Sequence, residues 1–500
     1  MRIYQMKKIL FFAVFLVFNT SIAISNTLSN EDIKWLNRIS YGINSQIVEV
    51  YKTQGRKNFL AEQLSVRVND KLPDYVNDLL DKQIISQKSA EILAGEAVKE
   101  FHRISQLPIE ERPNANNNHN KFAETLLKEA IERHLLRAMY SPAQLKEQLT
   151  WFWLNHFSVF RSKGLIRWLI ADYEESAIRP HVLGKFRDLL MATIRHPAML
   201  IYLDNRFNEV GKINENYARE LMELHTLGIN GGYTQQDVQE LARILTGVGI
   251  NFSGQYPKIK KEYEQYYRRD SNFEFDPNRH DFGEKTFLGK KITGNGLTEI
   301  EQVVDILVRH PATAQFVSRQ LAIYFVSDTP SPDLIQRVAE TFQSSDGDIS
   351  ATLHTLLESK EFTESLGKKI SDPMHYVLAI LRFSYDGQQL TDMSKPINWL
   401  QALDEPLYGH TTPDGYGLTE KDWVSPAQLT KRFEIVKAII NNNLTSNNEL
   451  TLKNQKLSYI HIFQLIKPLL STQTKLALEK AISVQEWNSF LLSSPEFVNR

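Results

Sequence analysis

The run from Asn214 to Thr246, NENYARELMELHTLGINGGYTQQDVQELARILT, constrains this chain more than any other stretch. Tyr217, Ala218, Leu221, Met222 and Leu224 fall on one side of a 3.6-residue helix and the charged residues on the other. Asn214 is placed to cap the helix start, and Gly228 to stop it. Gly231-Gly232 supplies a turn with positive-φ freedom, and Thr234-x-x-Asp237 is a capping box for a second helix. Val238, Leu241, Ala242 and Leu245 then repeat at helical spacing, so the stretch predicts an antiparallel helix hairpin.

The same grammar runs along the rest of the chain. Ser29-x-x-Asp32, Ser141-Pro142-x-Gln144 and Ser425-Pro426-x-Gln428 all read as helix starts. Helices are expected over 81–105, 121–140, 298–309, 312–325, 332–343 and 349–357. Arg112–Asn120, RPNANNNHN, has no apolar period and reads as a polar loop. Ser345-Asp346-Gly347-Asp348 lacks the later ligands of a calcium loop and reads as a turn and cap. Only 251–294 changes character, with short alternating runs that predict a small β-hairpin near 272–293. The expectation is an all-α, large multi-helix fold carrying that insertion. Its sublobes are about 26–140, 141–250, 251–368 and 369–500.

Residues 1–25 pair a basic start, MRIYQMKK, with the apolar core ILFFAVFLVF, the pattern of a cleaved secretory signal. This predicts an exported protein, periplasmic or extracellular. The chain contains no cysteine, which excludes disulfides, thiolate metal sites and a cysteine nucleophile. A net charge of −1 gives no overall field for nucleic acid or a membrane surface. Within 251–294 the segment PKIKKEYEQYYRRD mixes basic and aromatic residues, which suits an anionic polymer or sugar rings, or simply an exposed charged face.

Candidate chemistry concentrates on the first helix of the hairpin. Glu215, Arg219 and Glu223 form one row, with Asn216 and Glu220 beside it. Glu220 and Glu223 can reach one point, which suits a divalent metal or a carboxyl pair with one raised pKa. The alternative is a solvated face in which Arg219 bridges Glu215 and Glu223. His225 falls on the apolar side and is expected to pack. His156 shares a stripe with Leu145, Leu149 and Phe152, so it is a core residue or else a buried base or ligand. Glu174, Glu175, Arg179, His181 and Arg187 are polar residues in an apolar run, and His280-Asp281 sits in the predicted turn.

Together these segments resemble the bacterial domain of unknown function (DUF) 1800 family. The matching pieces include SPAQLKEQLTWFWLNHFSV, HPAMLIYLDN, NENYARELMELHTLGINGGYTQQDVQELARILTG, HDFGEKTFLG, PDGYG and the terminal SSPEF. The resemblance implies export and brings no activity, although such proteins often accompany a secreted sulfatase-like family. Two expectations follow. In one, the protein is a hydrolase or lyase acting on an extracytoplasmic glycan or other polymer. Glu220 and Glu223 then supply acid–base or metal chemistry, Arg219 and His280 bind an anionic group, and Asp281 or Asp237 is a second acid. In the other, it is a non-catalytic scaffold or partner of a secreted sulfatase-like enzyme or surface assembly, and its polar residues form a buried network.

Overall fold

A computed structural model describes residues 28–390, 392–441 and 455–500. The predicted signal segment lies outside them. The described residues are 63 % helix and 5 % strand, an all-α fold with a minor β insertion. Among the described residues no helix is long and apolar enough to cross a membrane.

The strong caps work as their chemistry dictates. Ser29 with Asp32, and Thr234 with Asp237, form reciprocal capping boxes at helices Asn30–Ile39 and Gln235–Ile244. Asp348 accepts from the Ala351 N–H and caps Ile349–Leu357, as expected of a turn rather than a calcium loop. Some boundaries differ from expectation. The helix expected over 81–105 begins only at Ala90, after the separate turn Ile84–Gln87, because Ser89 accepts from the Ile92 N–H and caps a new start. Arg112–Asn120 is the opening of one continuous helix, Arg112–Tyr140, rather than a loop. Its early residues are exposed, so they carry no apolar period, and Pro113 is tolerated in the first turn, where its missing N–H has no partner to lose. The helix expected from Ser141 begins at Gln144, because the Gln144 amide turns back to donate to the carbonyls of Ala138 and Ser141.

One buried apolar cluster runs from Ile33 to Leu492. A satellite of Leu93, Ala97, Ala123, Leu126 and Trp168 closes the base of the Ala90–Gln106/Arg112–Tyr140 pair. The beginning and end of the fold are joined by a buried arginine. Arg38 is fully buried and donates to the carbonyls of Phe325 (2.6 Å), Ser365 (2.7 Å) and Arg500 (2.5 Å).

The insertion holds five short strands. β1 (Val248–Ile250) and β2 (Arg268–Asp270) flank β3 (Phe273–Phe275) in an antiparallel sheet, with Val248 opposite Phe275 and Arg268 opposite Phe275. β4 (Lys285–Phe287) and β5 (Lys290–Ile292) form the separate hairpin. The expected hairpin is therefore real over 285–292, while 273–275 is the centre of a second sheet.

Candidate active site

The central hairpin is fastened by asparagines. The Asn214 side chain accepts from Asn216 N–H (3.0 Å) and donates to the Asp204 carbonyl, while Asn216 donates to the Leu203 carbonyl (3.1 Å). Asn208 in turn accepts from Asn214 N–H (3.0 Å) and donates to the Ala242 carbonyl (2.8 Å). These bonds supply partners where no regular ladder exists. The helix they start, Asn216–Glu223, ends before the expected Gly228. Leu224 and His225 N–H both reach the Glu220 carbonyl, and Leu227 and Gly228 N–H both reach that of Met222. Gly228 still makes the turn, with φ +78° and a face pressed against the Phe316 ring.

On this helix Arg219 bridges Glu215 (3.2 Å) and Glu223 (3.5 Å) and donates to Gln235 (2.9 Å). That row is the solvated ion-pair face, and such pairs contribute only about 0.3–0.5 kcal/mol. Glu220 differs. It is half-buried beside a cleft of about 480 Å³ bordered by Lys163, Tyr202, Asn216, Thr411 and Pro413. Burial raises its pKa above the usual carboxylate value, the negative charges of Glu223 and Asp414 add to the rise, and Arg219 opposes it. Lys163 across the cleft is engaged by Asp204 (2.8 Å) and the Tyr202 carbonyl (2.6 Å). Two carboxylates with no third His, Asp or Glu gathered beside them among the described residues suit only a largely hydrated ion.

One wall of the cleft is the loop from Asp404 to Leu418, and it is tied down along its length. The Tyr408 hydroxyl donates to buried Glu174 (2.5 Å), and Arg161 N–H donates to the Tyr408 carbonyl (2.9 Å). The Tyr202 hydroxyl holds the Thr411 carbonyl (2.9 Å). Asn155 pairs with both backbone groups of Tyr416, at 2.9 and 2.7 Å. This pairing needs Gly415: its φ is +72°, and a Cβ there would lie 2.3 Å from the Asn155 carbonyl oxygen.

Beneath that loop is a buried ionic network. Glu174 accepts from His134 Nδ1 (3.0 Å), Arg179 (2.6 Å) and Tyr408, while Arg179 also pairs with both oxygens of Glu147 (2.9 and 2.8 Å). Glu174, His134, Glu147 and Arg179 are all buried. Burial opposes ionisation of Glu174, but His134 and Arg179 overcome it and hold the carboxyl well below the usual range. Glu174 points inward because Tyr173–Ile178 winds as a π-helix, and the extra residue per turn rotates the acid off the surface. Glu175, on the same segment, pairs with Arg137. Arg179 therefore serves the network and not an open site.

The remaining sequence candidates are inside the protein or spoken for. His225 is fully buried, with neither ring nitrogen hydrogen-bonded among the described residues. His156 donates from Nε2 to the His225 carbonyl (3.0 Å), and burial pushes its pKa down to about 4. His280 is buried, with Nδ1 donating to the Thr246 carbonyl (2.8 Å) and Nε2 3.4 Å from Glu299, which also pairs with Lys285 (2.8 Å). Asp281 chelates Arg243 at 2.8 and 3.3 Å. Asp237 is consumed by its capping box and by Leu288 N–H. Neither His280 nor Asp281 borders the Glu220 cleft, so the structure does not bring together the set Glu220, Glu223, Arg219, His280 and Asp281.

Sequence reasoning missed His134, Glu147, Tyr408, Lys163 and Tyr202. His134 and Glu147 carried a signal, as polar residues within long apolar helices. Lys163, Tyr202 and Tyr408 carried none, since only the tertiary fold brings them to Glu220 and Glu174.

A family model described as "Protein of unknown function (DUF1800)" matches residues 34–499. No curated protein and no solved structure matches the chain.

Proposed function

Since the chain belongs to the DUF1800 family and inherits no activity from it, we propose a function from the cleft itself: Glu220 is the proton-transferring carboxyl of a hydrolase or lyase acting on an extracytoplasmic glycan or other polymer. The observation that carries this is the contrast between Glu220 and every other acid of the motifs. Glu147, Glu174, Asp237 and Asp281 are locked in ion pairs or caps. Glu220 combines partial burial, a raised pKa and an open cleft. A carboxyl shifted toward neutrality is what general acid–base catalysis requires near neutral pH. Asn216 and the backbone-anchored loop at Thr411 offer fixed polar groups for orienting substrate. Export is part of the same proposal and rests on the basic-then-apolar pattern of residues 1–25.

The scaffold alternative draws on the Glu147–Arg179–Glu174–His134 network, since a buried, ion-paired cluster specifies arrangement rather than chemistry. In the enzyme reading the same network supports the cleft, because through Tyr408 it anchors the loop that walls it.

The test is polymer cleavage, followed as new reducing ends or unsaturated products, by wild type and Glu220→Gln over a panel of bacterial surface polymers. Cleavage abolished in Glu220→Gln, with melting unchanged, supports the reading. Cleavage that survives in Glu220→Gln, or no cleavage of any polymer by wild type, removes it. The export arm is read separately, from the N-terminal residue of the mature protein by mass spectrometry.

A further inference from the structure

A second and larger cleft, about 1020 Å³, opens between the β2–β3 hairpin and the helices that carry Asp172, Arg195 and His196. This is the upper end of the range for ligand sites, about 300–1,000 Å³, and large for a single sugar or nucleotide. It contains none of the residues that border the Glu220 cleft.

Its charges balance. The walls carry Arg195, Arg268 and Arg269 against Asp172, Asp270 and Glu301, three cations and three anions. Each arginine already has acceptors. Arg195 pairs with Glu301 (3.2 Å), and Arg268 donates to the carbonyls of Gln265 and Tyr267 (2.7 Å each). Arg269 donates to the Gly254 carbonyl (2.7 Å) and to Glu91 (3.2 Å). An anionic ligand would have to break these bonds, and no net positive field draws it in.

The acceptors, in contrast, are available. Asp270 is exposed and makes no ion pair among the described residues. Asp172 takes one bond from His196 Nε2 (3.0 Å), which leaves most of its acceptor capacity open. Asn272 also borders the cleft, but its side-chain oxygen is closed off from solvent and is not among these acceptors. Gln265, Asn295 and Thr298 add neutral polar groups, and the partly exposed Tyr266 adds ring surface. Free carboxylates and amides beside aromatic faces recognise a ligand with many hydroxyl donors and flat apolar CH faces.

We propose that this cleft binds a neutral oligosaccharide, with Asp270 and Asp172 accepting from its hydroxyls. The proposal goes beyond the Glu220 reading and stands without it.

The experiment titrates the full chain, by calorimetry and ligand-observed NMR, with neutral hexasaccharides of glucose, xylose and N-acetylglucosamine, and with sulfated and uronic-acid oligosaccharides. Variants are Asp270→Ala and Ser176→Trp, at exposed positions on opposite walls, and Glu220→Gln. Melting curves establish that each is folded. At least one neutral hexasaccharide is expected to bind in the millimolar range or tighter. Asp270→Ala and Ser176→Trp should each weaken it by about tenfold or more, while Glu220→Gln leaves it unchanged. The proposal is overturned if no neutral hexasaccharide binds, if the charged oligosaccharides bind more tightly and lose that preference in salt, or if both cleft variants bind as wild type does. Loss of binding in Glu220→Gln alone would also overturn it, by placing the sugar in the other cleft.

Discussion

His225→Phe should make the protein less sensitive to acid, by an amount that follows from burial. His225 is fully enclosed and His156 beside it is partly buried, with ring centroids 6.1 Å apart and His225 5.0 Å from Phe157. Burial holds the pKa of His156 down to about 4 and that of His225 well below its ordinary value, which His156 lowers further. In the unfolded chain both titrate near 6.5. Below that pH the unfolded state binds protons that the folded state refuses, so stability falls as pH falls and levels off only below the folded pKa. Each such histidine then costs about 1.4 kcal/mol per pH unit, or about 2 kcal/mol between pH 6.5 and 5. Denaturant unfolding at pH 7.5, 6 and 5 measures it. Between pH 7.5 and 5 the variant should lose about 2 kcal/mol less than wild type. The offset at pH 7.5 is a separate matter, because phenylalanine is larger than imidazole and its packing has its own cost. If both proteins lose the same stability between pH 7.5 and 5, the buried neutral imidazole at 225 is wrong.

Glu223→Gln should lower the pKa of Glu220 by removing a neighbouring negative charge, and Arg219→Gln should raise it, both read from the carboxyl carbon in an NMR pH titration. Shifts in the same direction would contradict the stated causes. Glu174→Gln leaves Arg179 and His134 without their shared counter-charge and should destabilise the protein by about 3–5 kcal/mol in denaturant melts, where an exposed pair such as Lys360–Glu364 would cost under about 1 kcal/mol. Gly415→Ala should break the Asn155–Tyr416 pairing, increase proteolytic nicking in the loop from Asp404 to Leu418, and leave the global unfolding midpoint nearly unchanged. A resistant loop would show that the tie is dispensable.

What could be read in advance follows from how local the physics is. Capping boxes at Ser29 and Thr234 and the burial of His225 are set by neighbours within a turn or two, and all appear where the sequence places them. Arg112–Asn120 reads as a loop because asparagine has little helix propensity. Its helix is propagated from the packed half, Ala123–Tyr140, where the tertiary contacts lie. The Glu220 row was legible from the helix wheel. The assignment of His280 to the same site was not, because contacts to Thr246 and Glu299, at other points of the chain, hold the ring inside the protein. Nor could the π-helix at Tyr173–Ile178 be foreseen, since no residue pattern in YEESAI distinguishes it from an ordinary turn.

The buried guanidinium of Arg38 has a consequence for the order in which the chain can mature. The helix that carries it is among the earliest made, yet its acceptors lie near residues 325, 365 and 500, the last of them 462 positions away. Until those segments exist, closing the early helices over an uncompensated cation is unfavourable. The N-terminal part therefore has to wait for the rest, and completion depends on contacts of very long sequence separation, which form slowly. A polypeptide that cannot lock early stays threadable while it is being made. Arg38→Met should alter that timing as well as the stability: partly synthesised chains truncated before residue 325 should become more compact and more protease-resistant than their wild-type counterparts, while the full-length variant, with its carbonyls orphaned, should melt earlier.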